Sequence, residues 1–236
     1  MAACYETRHA RGDALPTHRH REAYAALVLD GSYEENSVDG PLPSRPGVLL
    51  LHPPYHAHGN RFERSGARVI NLVLPALDGV AQAQARLVPD LREAIAIFRH
   101  APQRFAQLRA ASTPCEPPQV PAWQRAFVEA LGAGDRPIAD LAREFGVSAA
   151  HASRALSLSH GMSPQALRRE LRWRRALALL ATPAPLADVA ADAGFADQSH
   201  LTRVVRAHAG LPPSALRRRI GGIKCVQYAA AAAALQ

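Results

Sequence analysis

Histidine is concentrated in two short segments near the start of the chain. The first segment holds His18 and His20, followed at the same spacing of two by Glu22. The second holds three more histidines: His52, His56 and His58. Because side chains two residues apart share one face of an extended strand, the first three would point the same way. Imidazole and carboxylate are ligands of Zn²⁺, Mn²⁺ and Fe²⁺, so metal binding is one chemistry open to them. The alternative is that the histidines lie in loops or line a pocket for an organic ligand.

The segments around these histidines predict short strands. Residues 23–29, 47–51 and 68–74 are apolar or alternating and are separated by Gly, Pro, Asn and Asp, which is typical of a small antiparallel barrel. Residues 82–100 carry apolar side chains at intervals of three and four and predict an amphipathic helix: Leu87, Leu91, Ile95 and Phe98. Five prolines between positions 101 and 121 predict a linker.

A sequence unit is duplicated in the second half of the chain. Residues 138–148 recur loosely at 186–197, with an offset of 48 residues up to Gly146 and Gly194 and of 49 beyond them. Each copy predicts a helix, a glycine turn, and then Ser148 or Asp197 as the cap of a second helix. This order predicts two helix-turn-helix units, whose second helices enter the major groove of DNA. A helical-repeat scaffold is the alternative, but such arrays generally need three or more units.

One long helix is predicted between the two copies, over residues 164–181. Ser163 can cap it, Pro164 suits its first turn, and Pro183 follows its end. At about 1.5 Å per residue it would be roughly 27 Å long. It could therefore hold two recognition helices about one turn of DNA apart, roughly 34 Å. Some of its arginines are expected to meet phosphate and others to be solvated: Arg168, Arg169, Arg172, Arg174 and Arg175.

The charge distribution favours a nucleic-acid partner for the second half. The chain has a formal net charge of +8, and residues 123–224 contain 15 Lys and Arg against 8 Asp and Glu. Every basic residue except Lys224 is an arginine, whose planar fork suits phosphate and guanine edges. The basic surplus thus coincides with the duplicated units.

Other features of the chain favour a soluble cytoplasmic protein. It shows no charged-then-apolar leader and no apolar run near the roughly 20 residues that span a bilayer. The three cysteines, Cys4, Cys115 and Cys225, are far apart and odd in number, which fits neither a disulfide framework nor a paired-cysteine metal site. We assign no function to the alanine-rich residues 221–236.

The second copy carries the pattern Ala190-x-x-Ala193-Gly194-Phe195-x-Asp197-x-Ser199-His200-x-x-Arg203, followed by Gly210-x-x-Pro213. Over residues 136–219 the chain resembles the AraC/XylS family of transcriptional regulators. The resemblance implies two helix-turn-helix units, joined by a long helix, that bind promoter DNA. The DNA-binding set then comprises Ser148, Ala150, His151, Ser153 and Arg154 in the first unit and Asp197, Gln198, Ser199, His200, Thr202 and Arg203 in the second. Val205 stands where the family commonly has phenylalanine, and we expect the fold to survive the smaller volume.

The N-terminal half resembles cupins, a barrel often joined to this DNA-binding domain. His18-x-His20 with Gly31 is similar to the first cupin motif, and Gly47-x5-Pro53-x4-His58 is similar to the second. Three positions differ: the motif glutamate is expected a little after Glu22, Tyr55 replaces a glycine, and Asn60 comes early. The resemblance implies a cupin-like barrel whose candidate ligands for Zn, Mn or Fe are His18, His20, Glu22 and His58. Without metal, an effector pocket would use His18, His20, Tyr24, Tyr55 and His56.

The sequence therefore predicts an α+β protein. Its parts would be a cupin-like sensing barrel at 1–80, a helical connector and linker at 81–122, a double helix-turn-helix domain at 123–220, and a tail. The predicted function is ligand-responsive, sequence-specific transcriptional regulation without catalysis. Expected partners are double-stranded promoter DNA, RNA polymerase, and a small-molecule or metal effector, with no membrane. A homodimer through the barrel or the 87–98 helix stays open. The alternatives are a cupin metalloenzyme with a basic helical domain and an N-terminal half that serves only for dimerisation.

Overall fold

The computed structural model describes residues 3–62, 65–75 and 80–222. The chain divides into two compact units, with the division between Gln119 and Val120. Residues 223–236, which contain Lys224, Cys225 and most of the alanine-rich tail, lie outside the described residues.

The first unit is built mainly of β-strands. In chain order they are β1 Cys4–His9, β2 Ala14–Arg19, β3 Ala23–Gly31, β4 Tyr33–Ser37, β5 Gly40–Ser44, β6 Val48–His52, β7 Ala57–Arg61, β8 Ala67–Leu74, β9 Gln84–Leu87 and β10 Thr113–Pro114. The three apolar segments at 23–29, 47–51 and 68–74 thus form β3, β6 and β8, as the sequence predicts.

The strands form two antiparallel sheets. The larger has the order β1-β8-β3-β6-β9-β10, and the smaller has the order β2-β7-β4-β5. Alternate side chains of β3 enter two different cores because the strand has a period of two. Leu27 packs in one core, whereas Tyr24 and Val28 pack in the other together with residues of the smaller sheet such as Tyr33. The larger sheet therefore has both faces covered, which explains why residues 23–29 are all buried.

Two helices cover the outer face of the larger sheet. They are α1 Leu91–His100 and α2 Phe105–Ala111, with a short 3-10 turn, Pro102–Arg104, between them. Phe98 and Phe105 are buried in the core that contains Leu27. The first unit thus includes residues 81–119, for which the sequence predicted a connector and linker.

The predicted helix at 82–100 begins later than expected. Gln84–Leu87 is a strand that pairs with β6 and β10, and Asp90 caps α1 by accepting from the Glu93 N–H. Leu87, assigned to the helical stripe, is instead a partly exposed strand residue. A four-residue strand is too short to show a period of its own, which explains the error.

The second unit consists of helices. They are α3 Ala122–Ala133, α4 Ile138–Glu144, α5 Ala149–His160, α6 Pro164–Leu180, α7 Leu186–Asp192, α8 Gln198–Ala209 and α9 Pro213–Gly222. The pairs α4–α5 and α7–α8 are the two helix-turn-helix units that the duplication predicts. Gly146 and Gly194 both have positive φ, +69° and +79°, as the tight turn between helices requires.

Helix α6 joins the two pairs and supplies much of their shared core. The Ser163 side chain accepts from the Ala166 N–H, and Pro164 occupies the first helical position, as the sequence predicts. Trp173 is completely buried, and α6 packs against α3, α7 and α9. Val205 is also fully buried, so the smaller side chain still occupies the core of α8. Among the helices of the described residues, none combines the length and the apolar character needed to cross a membrane.

Candidate functional sites

The two recognition helices begin with the same local arrangement. The Ser148 hydroxyl accepts from the His151 N–H at 3.1 Å, and an Asp197 carboxylate oxygen accepts from the His200 N–H at 2.6 Å. Each bond satisfies one of the free N–H groups at a helix start. The predicted capping roles of Ser148 and Asp197 are therefore present in the structure.

The helices α5 and α8 bury apolar side chains along one face and expose polar side chains near their starts, although α5 also exposes Leu158 and buries His160. Ala152, Leu156, Leu201 and Val205 are fully buried. Among the predicted DNA-binding residues, eight are exposed: Ser148, Ala150, His151, Arg154, Asp197, Gln198, Ser199 and Arg203. Three are partly buried: Ser153, His200 and Thr202. Because a recognition helix contacts base edges through its N-terminal residues, this pattern is what DNA binding requires.

Both histidines of this set contact aromatic rings. The ring centroid of His151 lies 5.5 Å from that of Trp123, and the ring of His200 contacts Phe195 edge-on at 5.2 Å. These contacts fix the direction of each imidazole while leaving His151 exposed. DNA contact by these two side chains stays a prediction.

The arginines of α6 do not form one basic stripe. Arg168 is buried and donates to the Arg136 carbonyl, and Arg172 forms an ion pair with Asp135 while it packs beneath Gly194. Arg169 is exposed. The expectation of phosphate contact is therefore reduced for Arg168 and Arg172, because both side chains are used within the unit.

Four histidines of the first unit line a cavity of about 150 Å³: His9, His18, His20 and His58. Its lining includes His18, His20, Tyr24, Glu35 and His58. One ring nitrogen from each of His18, His20 and His58 lies within 4.8 Å of the other two, so β2, the residue after it and β7 bring together three of the four predicted metal ligands. The fourth, Glu22, is exposed on the bend before β3 and lies outside this group.

A second histidine group lies beside the first and shares His58 with it. One ring nitrogen from each of His52, His56 and His58 also lies within 4.8 Å of the other two, and all three side chains are buried. His52 bonds to Glu35 at 2.6 Å and His56 to Asp39 at 2.9 Å. The Tyr24 hydroxyl bonds to His58 Nε2 at 2.7 Å, and the Tyr24 ring stacks on His52 at 4.3 Å.

Burial keeps His20, His58 and Tyr24 uncharged. Burial, followed by the nearby His18 and His52 rings, lowers the pKa of His20 to about 4. Burial likewise lowers the pKa of His58 well below its ordinary value, and the neighbouring histidines lower it further. Burial also raises the pKa of Tyr24 well above its ordinary value. At neutral pH, His20 and His58 are therefore neutral imidazoles, the form that binds metals.

The effector residues expected from the sequence divide into two groups. His18, His20 and Tyr24 line the cavity, whereas Tyr55 and His56 are buried and are not among its lining residues. Sequence reasoning missed Glu35, the carboxylate inside the sandwich. It lies on β4, far from the histidine segments in the sequence, and no local pattern marks it.

Comparison with known proteins identifies the kind of domain that the second unit contains. Residues 141–219 match a family model described as a helix-turn-helix domain. The chain carries an AraC-type DNA-binding domain. A protein with this domain is a DNA-binding transcriptional regulator, and both of its recognition helices lie within the match.

Several solved structures are distantly similar to the chain. ToxT from Vibrio cholerae bound to unsaturated fatty acid is 11% identical, with 94% of this chain and 96% of that chain covered and a TM-score of 0.43. The C-terminal domain of AraT, a response regulator from Geobacillus stearothermophilus, is 22% identical over 42% of this chain and 87% of that chain, with a TM-score of 0.39. A salicylate 1,2-dioxygenase mutant from Pseudoaminobacter salicylatoxidans is 21% identical over 30% and 21% of the chains, with a TM-score of 0.28. No curated protein sequence matches the chain.

The half that precedes the AraC-type domain fits the cupin resemblance only in part. Tyr55 stands where the second motif has glycine, and its φ of +60° is the left-handed conformation that glycine adopts easily. The metal set of the resemblance is incomplete, because the three imidazoles come together without Glu22. The buried carboxylate, Glu35, bonds to His52 instead.

Proposed function

We propose that the chain is an effector-responsive, sequence-specific regulator that reads two adjacent DNA segments with α5 and α8. The observation that carries the proposal is the duplicated helix-turn-helix with two capped recognition helices, each with exposed polar residues in its first half. The cupin metalloenzyme is not favoured, because a domain of the regulator type occupies a third of the chain.

The two recognition helices would contribute unequally to sequence readout. The start of α8 presents Gln198, Ser199 and Arg203, which can donate to or accept from base edges. The start of α5 presents Ala149 and Ala150, which cannot form such side-chain bonds, so His151 and Arg154 carry most of its readout. We therefore assign the stricter half-site to α8.

The joining helix sets the expected length of the DNA site. Helix α6 has 17 residues and is about 26 Å long. This length is comparable to one turn of DNA, about 34 Å, which separates successive major grooves on one face of the duplex. The proposed site therefore has two elements about 10 base pairs apart.

Sensing is assigned to the cavity of the first unit, with His18, His20 and Tyr24 as its effector contacts. Its volume of about 150 Å³ is below the usual range of drug-sized ligand pockets, so the effector would be a small polar molecule or an ion. The effector would change promoter affinity only by the difference in its own affinity for two states of the protein. RNA polymerase, and a second copy of the chain in a homodimer, are the further partners of this proposal.

Selection of bound duplexes from a random pool by the full-length protein tests the DNA-binding proposal. We expect an enriched site with two conserved elements one helical turn apart. Arg154→Ala should relax the sequence preference within one element, and Arg203→Ala should relax it within the other. An enriched pool without a common sequence, or one in which both variants relax the same element, would overturn the proposal.

A further inference from the structure

The histidines of the second segment form a group that the proposed function does not use. His52 ends β6, His58 lies in β7, and His56 lies in the turn between these strands. All three are at most 4% exposed, and their ligand nitrogens lie within 4.8 Å of one another. The short turn between β6 and β7 brings the three imidazoles together within seven residues of the chain.

Each of these imidazoles has its Nε2 atom engaged by an oxygen. Glu35 bonds to His52 and Asp39 bonds to His56, while the Tyr24 hydroxyl bonds to His58. An ionised carboxylate can only accept a hydrogen bond, so the Nε2 atoms of His52 and His56 carry the proton. In the neutral ring, the lone pair then lies on Nδ1. Asp39 is itself held in place, because the same oxygen accepts from the Ala83 N–H at 3.1 Å.

The opposite nitrogens of the group supply a second, independent observation. Among the described residues, the Nδ1 atoms of His52 and His58 are buried and have no hydrogen-bond partner. Buried polar atoms without a partner are rare in folded proteins, and a bound ion can supply the missing partner. Metal-binding histidines typically donate their other ring N–H to a carboxylate, a carbonyl or water, as His52 and His56 do here.

We propose that His52, His56 and His58 bind a divalent metal ion of the zinc class, with Glu35, Asp39 and Tyr24 orienting the three imidazoles. Three neutral imidazoles suit zinc, and the fourth tetrahedral position would take water. The set has no carboxylate among its direct ligands, which disfavours Mn²⁺ relative to Zn²⁺. The site differs from the cupin-like set of His18, His20 and Glu22 and shares only His58 with it.

The buried group is also the better site of the two. His18 and His20 are partly exposed, whereas His52, His56 and His58 are buried. A backbone carbonyl orients His18, since its Nδ1 lies 2.8 Å from the Pro16 oxygen. Two carboxylates add negative charge next to the buried group, and this charge strengthens the binding of a cation.

Zinc titration of the full-length, untagged protein tests this site. The protein is freed of metal with a chelator and titrated with Zn²⁺ against a chromophoric competitor, and Co²⁺ is added in parallel to obtain its absorption spectrum. We expect one ion per chain and a tetrahedral Co²⁺ spectrum. His56→Ala should weaken binding at least 100-fold. The double variant His18→Ala/His20→Ala and the control His100→Ala, which removes an exposed histidine of α1, should bind as the parent does.

A second variant keeps the test decisive if His56→Ala fails to fold. Asp39→Asn retains all three imidazoles and removes only the charge that orients His56, so we expect about 10- to 100-fold weaker binding. Circular dichroism checks that each variant is folded. The proposal is overturned if the parent protein binds no stoichiometric zinc, if Asp39→Asn and His56→Ala bind like the parent, or if the His18→Ala/His20→Ala protein loses the ion. None of these readouts requires DNA, so the site and the proposed function can fail separately.

Discussion

Individual side chains of the recognition helices divide into those that hold the helix and those that face outward. A carboxylate oxygen of Asp197 accepts a hydrogen bond from the first turn of α8, whereas Arg203, about two turns later, faces outward. Both would be close to DNA in the proposed complex, but substituting each residue should change a different measured property. Loss of Asp197 should reduce stability, and loss of Arg203 should reduce affinity for the selected site.

Arg203→Ala should weaken binding to the selected site by about 1–3 kcal/mol if the guanidinium reads a base, with little effect on non-specific duplex. Arg206→Ala is the matched control, because it removes the same charge from the C-terminal half of α8. Fluorescence anisotropy with specific and scrambled duplexes measures both. Equal losses for the two variants, or equal losses on the two duplexes, would contradict base readout by Arg203.

Asp197→Ala should lower the free energy of unfolding by about 0.5–2 kcal/mol, because the first turn of α8 loses its capping acceptor. Asp197→Asn keeps an acceptor and removes the charge, so it should be close to the parent in stability. Urea denaturation measures the pair. If the asparagine variant is as unstable as the alanine variant, the charge of Asp197 matters and the hydrogen bond does not.

Residue-level prediction from the sequence succeeded where spacing was local. The alternation of His18 and His20, and the caps Ser148 and Asp197, follow from neighbours along the chain. Glu35 and the partner of Arg172 do not, because Asp135 and Arg172 meet only after α3 packs on α6. Arg172, expected near phosphate, is therefore a residue that ties two helices together.

At the scale of elements, the duplicated units offer a comparison within one molecule. Gly146 and Gly194 occupy equivalent turns with similar backbone angles, but their surroundings differ. A Cβ added at Gly146 would meet nothing within 4 Å, whereas one at Gly194 would lie 3.2 Å from Nε of Arg172. The two turns share a positive φ, which strains any residue with a Cβ, and they differ in packing.

Gly146→Ala should therefore cost about 1–2 kcal/mol of stability, the penalty of a left-handed conformation for a residue with a Cβ. Gly194→Ala should cost more, because Arg172 must also move while it pairs with Asp135. Urea denaturation of both variants gives the difference directly. A larger cost at Gly146 would show that Arg172 does not crowd the second turn.

Elements were predictable in proportion to their length and regularity. The long helix α6 and the apolar strands β3, β6 and β8 have strong patterns and clear ends, and the sequence located them within a residue or two. Strands β9 and β10 have four and two residues, and they are stabilised by pairing with strands distant in sequence. Such pairing overrides local preference, so residues 81–119 were assigned to a connector.

At the scale of the whole molecule, the charge distribution should govern how DNA binding responds to salt. The basic surplus coincides with the AraC-type domain. Release of counterions from phosphates makes the logarithm of affinity fall linearly with the logarithm of salt concentration. The slope depends on the number of phosphates that the protein contacts, and net charge alone does not determine it.

Arg169→Ala removes an exposed guanidinium from α6 and should reduce the magnitude of that slope by about 1 if this side chain contacts phosphate. Arg92→Ala removes the same charge from an exposed position on α1 and should leave the slope unchanged. Affinities for one duplex at several salt concentrations provide the test. A similar change for both variants would show that the overall charge, rather than a contact at α6, determines the salt dependence.

His58 belongs to both histidine groups of the first unit, and its ring has only two nitrogens to divide between them. An occupant of one group fixes which nitrogen of His58 is available to the other. Binding at the two groups is therefore thermodynamically linked through a single side chain, and each occupant must change the affinity of the other by the same factor.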